Sequence, residues 1–237
     1  MRNTLAIAWK EAKSYFASPM AYIIVSVYAG LAAYYFVTSI SGVLPEAAVR
    51  GFLVPSTLIF VLLSPVITMR LLAEEQKLGT LELLMTAPVR DYERVLGKFI
   101  AAMATLISTL VPTIYLVILL MWFSTPDTGP ILSGYLGLIL FGMATLSVGL
   151  FASSLSANQI VAAVLAMGVL LILSVIDQAA NYVGGIFVEI VLQVSITRHF
   201  EDFARGVVDT HDLVYYISFT AFLLFLTVRS LESRRWR

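Results

Sequence analysis

Two histidines and four acids in one short stretch come nearest to a chemical site: His199, Glu201, Asp202, Asp209, His211 and Asp212. Imidazole nitrogens and carboxylate oxygens are ordinary ligands of a divalent transition cation. Their order matches no metal motif such as H-E-x-x-H. The sequence therefore predicts a solvated polar face here and no metal centre. Gly97-Lys98 has the end of a nucleotide-binding P-loop but lacks its upstream glycine and its following hydroxyl, so no P-loop holds ATP in this chain. G-x-S-x-G is also missing. With zero cysteines there is no thiol nucleophile, thiolate metal site or disulfide. No catalytic residue is assigned, no cofactor is expected in this chain, and it is not read as an enzyme.

A different string carries the functional signal: Arg70, Glu74, Glu75, Gly79, Thr80, Leu81, Glu82, Leu84 and Met85 within the charged stretch from Arg70 to Val89. Leu81, Leu84 and Met85 fall at i, i+3 and i+4, an apolar knob on one helical face. Thr80 is placed to cap that helix, and Glu82 follows in its first turn, where the dipole favours an anion. Gly79 ends the preceding turn and Pro88 stops the second helix. The pattern reads helix, break, helix, stop. Such an element seats in a groove on a partner. Glu74 and Glu75 can pair with Arg70 and Lys77 or reach basic residues of that partner. A loop lying on lipid headgroups is the competing reading, and three glutamates disfavour it, because anionic headgroups attract Lys and Arg.

The elements around this string are set by hydropathy. Of 237 residues, 59% are hydrophobic and 13% charged, against about 25% charged in a soluble domain. A helical span takes about 20 apolar residues. The chain divides into six, near 20–41, 52–72, 99–123, 131–154, 158–177 and 213–229. The runs are continuous, which excludes a transmembrane barrel. The expected fold is an all-α integral membrane protein forming one domain over 1–237, with a coupling segment at 73–89 between spans two and three. Pro55, Pro65 and Pro112 are expected to kink their spans. Ser133/Gly137 and Thr145/Gly149 are small pairs four apart that let helices approach closely, within one subunit or between two. Lys98 and Asp177 lie toward span ends, where snorkelling is cheap.

Residues 2–18 read as an interfacial helix. Leu5, Trp9, Ala12 and Phe16 form one stripe, while Lys10, Glu11 and Lys13 lie off it. A second irregular stretch, 178–212, is too short for a domain. Its apolar part, Val183 to Ile196, is interrupted by Glu189 and is too short to cross a bilayer. A re-entrant helical hairpin fits, with a second arm from His199 to Val207. That arm sets Phe200, Phe203, Ala204 and Val207 on one face and Arg198, Glu201, Asp202 and Arg205 on the wet one. Lysine and arginine set the orientation. With the N-terminus inside, twelve of the fifteen basic residues fall inside and three outside. Both termini are expected in the cytosol.

The string Arg70-x-x-x-Glu74-Glu75-x-x-x-Gly79-Thr80-x-Glu82-x-Leu84-x-Thr86-x-Pro88 resembles the coupling region of permease subunits of ABC-2 type transporters. Trp9-Lys10-Glu11-x-x-x-Tyr15-Phe16-x-Ser18-Pro19 and His199-Phe200-x-Asp202-Phe203-x-Arg205-Gly206 extend the resemblance over the chain. They are most similar to the gliding-motility type subgroup, a relative of the permease of nitrous oxide reductase maturation. The resemblance implies a coupling helix after span two that docks on a cytosolic ATPase subunit. ATP and Mg would be bound by that subunit. It also implies a second permease copy or paralogue, a companion membrane protein with a large outer domain, and a bacterial or archaeal cytoplasmic membrane. No nucleic-acid partner is expected. The implied function is an ATP-driven exporter subunit. The alternatives are a mechanotransmitter without transport, and a stand-alone carrier, which would need an ionisable residue at mid-span.

Overall fold

The structure is a computed structural model that describes residues 2–40, 45–79, 90–123, 126–179 and 192–234. Among these residues the regular structure is helical. Among the described residues, six helices are long and apolar enough to cross a membrane.

A short helix, α1 (Arg2–Ala17), leads at Ser18-Pro19 into α2 (Pro19–Ile40). Next come α3 (Pro45–Lys77), α4 (Asp91–Phe123), α5 (Thr128–Leu155) and α6 (Gln159–Ala179). A short α7 (Arg198–Ala204) precedes the last long helix, α8 (Thr210–Arg234). The helices outrun the apolar windows that reveal them, because charged turns continue a helix beyond the bilayer. The 33 residues of α4 extend about 50 Å, against a hydrocarbon core of about 30 Å. Both α3 and α4 continue through Pro55, Pro65 and Pro112.

Helices α3 and α5 form the centre, and the others surround them. The small residues of α5 make this possible. A Cβ on Gly149 would collide with Thr68 of α3, and one on Gly137 would lie 2.6 Å from the Phe203 side chain of α7. The Ser133 hydroxyl donates to the Phe203 carbonyl at 2.7 Å. These small residues therefore serve packing inside the subunit.

Helix α7 is held at both ends. Its C-terminus closes on Gly206, whose φ is 95°. The Val207 amide returns to the Asp202 carbonyl at 3.0 Å and the Gly206 amide to Phe203 at 3.2 Å, a Schellman closure. Arg50 of α3 donates to the Ala204 carbonyl at 3.0 Å, a cation at a helix C-terminus where the dipole favours it. Phe200, Phe203 and Ala204 are buried as expected, but Val207 is exposed, because the chain has left the helix before reaching it. The Ile196 amide meets the Leu173 carbonyl of α6 at 3.2 Å. Of the first arm of the expected hairpin, residues 183–191, with Glu189, lie outside the described residues.

Candidate functional site

Two clusters of buried polar residues stand at opposite ends of the bundle. The first lies where α3 ends and α4 begins, on either side of residues 80–89, where the coupling segment is expected. Of that segment's assigned residues, Arg70, Glu74, Glu75 and Gly79 are described. Thr80, Leu81, Glu82, Leu84 and Met85 lie outside the described residues. Gly79 closes α3 as the sequence suggests, with φ 66° and open space around a would-be Cβ.

Lys98 is the hub of the first cluster. Its side chain is 4% exposed, and its ammonium lies 2.7 Å from Glu75 of α3 and 3.1 Å from Glu11 of α1. It also donates to the Leu71 carbonyl at 2.6 Å. At a span end, snorkelling toward water would cost Lys98 little. Instead it turns inward, because two carboxylates and a carbonyl offer its three donors better partners than a lipid boundary. Glu75 thus pairs across helices with Lys98. Gly97 lets α1 approach, since a Cβ there would lie 2.8 Å from Ile7 and 2.9 Å from the Thr4 carbonyl. Asn3 adds a contact to Glu93 at 3.4 Å.

Arg70 takes a different partner from those expected. Its guanidinium lies 4.0 Å from the centre of the Tyr15 ring. The Tyr15 hydroxyl donates to the Ile67 carbonyl. Burial pushes that hydroxyl up to about 12, although Arg70 pulls the other way, so the phenol stays a neutral donor. A cation over a ring in partly dry surroundings contributes about 1–2 kcal/mol.

The same turn of α3 is fastened to the central helix. Ser153 of α5 accepts from the Leu72 and Ala73 amides at 3.1 and 3.0 Å and donates to the Met69 carbonyl at 3.1 Å. Gln76 reaches the Ser154 carbonyl at 3.0 Å. Around the end of α3 and the start of α4, helices α1, α3, α4 and α5 are thus tied by charge and hydrogen bonds as well as by packing. The sequence reading missed Glu11, Lys98 and Ser153. A lysine at the start of a span with acids in two neighbouring elements was the available signal.

Helix α1 presents Leu5, Trp9 and Phe16 outward, with Trp9 75% exposed, while Ala8 and Tyr15 face the protein. The outward stripe flanks an apolar groove of about 720 Å³ floored by Ile100, Ala101 and Ala104 of α4. Lys10 and Lys13 are exposed. An outward apolar stripe beside lysines is what an interfacial helix offers to lipid.

At the other end, the expected solvated polar face is only partly found. Glu201, Asp202 and Arg205 are at the surface, and Arg205 pairs with Glu201 at 3.0 Å. His199 and Asp212 instead are buried, with Nδ1 of the histidine 2.6 Å from the aspartate Oδ1. The His199 ring stacks on Tyr215 at 3.9 Å. Spacing hid this because α7 and α8 meet in space, bringing together residues that no local period relates.

Comparison with known proteins agrees with this architecture. The family model described as "ABC-2 family transporter protein" matches residues 11–226. The protein described as "Probable multidrug ABC transporter permease YbhR" of Escherichia coli (strain K12) is 27% identical over 117 residues, 48% of this chain and 31% of the relative. The same description and figures hold for Escherichia coli O157:H7. The match therefore spans less than a third of the length of these curated relatives.

Proposed function

This multi-pass chain belongs to the ABC-2 family of transporter proteins, and on that premise we propose that it is a permease subunit driven by a separate cytosolic ATPase. ATP and Mg belong to that partner, and no nucleotide chemistry is assigned to this chain. The observation that carries the reading is the Lys98 junction. The coupling segment leaves α3 two turns beyond Arg70 and returns into α4 at Asp91. Lys98 joins both stems to α1, and Ser153 joins the first stem to α5. A force on residues 80–89 is then felt by four helices at once. Loose stems would dissipate the same force in local bending.

Each of two permease subunits holds one coupling helix against an ATPase subunit in this reading. ATP binding favours the state in which the ATPase pair is closed. Coupling arises because that state grips the permease differently from the open one. The lysine and arginine bias supports a cytosolic Lys98 end and an outward His199 end. We read residues 178–212, with α7 in the second arm, as a re-entrant outer segment. The strings around Trp9 and His199 support assignment to the gliding-motility type, with a companion membrane protein that has a large outer domain.

Replacing Leu81 and Leu84 together with Asp tests the docking role. The expected result is loss of the ATPase from the purified complex with membrane insertion intact. Unchanged co-purification would contradict it.

A further inference from the structure

We infer that His199, His211 and Asp212 form a binding site for a divalent transition cation of the zinc class, clamping α7 to the first turn of α8. One ligand atom from each of the three lies within 4.8 Å of the others. His199 Nδ1 is 2.6 Å, and His211 Nδ1 3.7 Å, from Asp212 Oδ1. With bonds of about 2.0–2.1 Å, the corners of a tetrahedral zinc site stand about 3.3 Å apart. The two histidine–aspartate separations bracket that value, and the third is at most 4.8 Å, so closing the His211 side chain toward His199 completes the triangle.

Three further features point to a ligand and away from a plain buried ion pair. The Asp212 side chain is 7% exposed, yet its Oδ2 atom has no hydrogen-bond partner among the described residues. A buried carboxylate oxygen without a partner is unfavourable, and a cation held by Oδ1 with Oδ2 as a second, longer contact relieves it. Secondly, His199 Nε2 lies 3.2 Å from the Gln193 carbonyl. This is the outer-shell contact that fixes a metal-binding imidazole, with its other nitrogen turned to the metal. Thirdly, the group borders a cavity of about 330 Å³, and the His211 side chain is 65% exposed, so an ion can enter and a water can take the fourth position. Asp202 and Asp209 also line the cavity and outnumber its one arginine, Arg198.

Two imidazoles and one carboxylate suit zinc better than calcium or magnesium, which prefer oxygen ligands. Binding takes the Nδ1 lone pair of His199 and the Asp212 carboxylate as ligands, and any proton they carry passes to solvent. The clamp then fixes the α7 segment against α8.

The test uses the full chain in detergent, purified without a polyhistidine tag, stripped with a chelator and re-equilibrated with zinc alone. Elemental analysis after gel filtration should find one zinc per chain, absent from His211→Ala. Cobalt in place of zinc should give the visible absorption of a four-coordinate nitrogen–oxygen site in the native chain only. His211 is exposed, so the variant retains its fold, and His211→Gln provides a second chain to check it. Equal zinc in native and both variant chains, or none retained by the native chain, would overturn the site and leave a hydrated His–Asp pair.

Discussion

Lys98 and Glu75 form a 2.7 Å ion pair that bridges the end of α3 and the start of α4, with the lysine 4% exposed. A buried ammonium is tolerated only with close partners, and Lys98 has two carboxylates and a carbonyl. Lys98→Met should leave Glu11 and Glu75 facing each other and cost about 3 kcal/mol. Thermal unfolding in detergent measures this. Adding Glu11→Gln and Glu75→Gln should recover most of the loss, because removal of a whole buried charge cluster is nearly neutral. A triple variant no more stable than Lys98→Met would show that the charges do not act together.

Gly97 permits the approach of α1 to α4, at 2.8 Å from a would-be Cβ to Ile7. Gly97→Val should lift α1 from the bundle, and limited proteolysis within residues 2–17 should accelerate. Gly97→Val with Ile7→Ala should regain part of the protection. An unchanged cleavage rate in Gly97→Val would contradict the packing.

Tyr15 carries a pH dependence. Its folded value of about 12 lies above the ordinary 10.0, so the fold favours the neutral phenol. That contribution is full below pH 10 and is lost as pH rises toward 12. The melting temperature of the native chain should therefore fall more steeply across this window than that of Tyr15→Phe. Parallel curves would contradict it.

Ser153 joins α5 to α3 through three hydrogen bonds. Ser153→Ala should cost about 1–3 kcal/mol and weaken the transfer of motion from residues 80–89 to the central helix. Transport or ATPase coupling should fall by more than ATPase binding. Equal falls in both would make the contact merely structural.

The sequence made the spans legible because each needs a continuous apolar run. Gly79 was legible as a helix end because its positive φ strongly favours glycine. The buried face of α7 was legible through Phe200 and Phe203, but its length was not, since Gly206 closes it before Val207. The partners of Lys98 were hidden by distance along the chain, with Glu11 lying 87 positions away. His199 and Asp212 were read as wet for a related reason. Polar residues on one short helix read as solvated until another helix covers them, and α8 does so here. Charges in a membrane protein are best weighed against every neighbouring element before a span end is assigned as their resting place.

Residues 80–89 are where driving force should enter the chain. The protein has no cysteine, so single cysteines at Leu81, Leu84 or Met85 provide unique crosslinking points. In the purified assembly they should link to a nucleotide-binding subunit, with a yield that differs between nucleotide-free and ATP-trapped states. Reaction with an impermeant reagent from outside intact cells, or no adduct with a nucleotide-binding subunit in either state, would contradict the account.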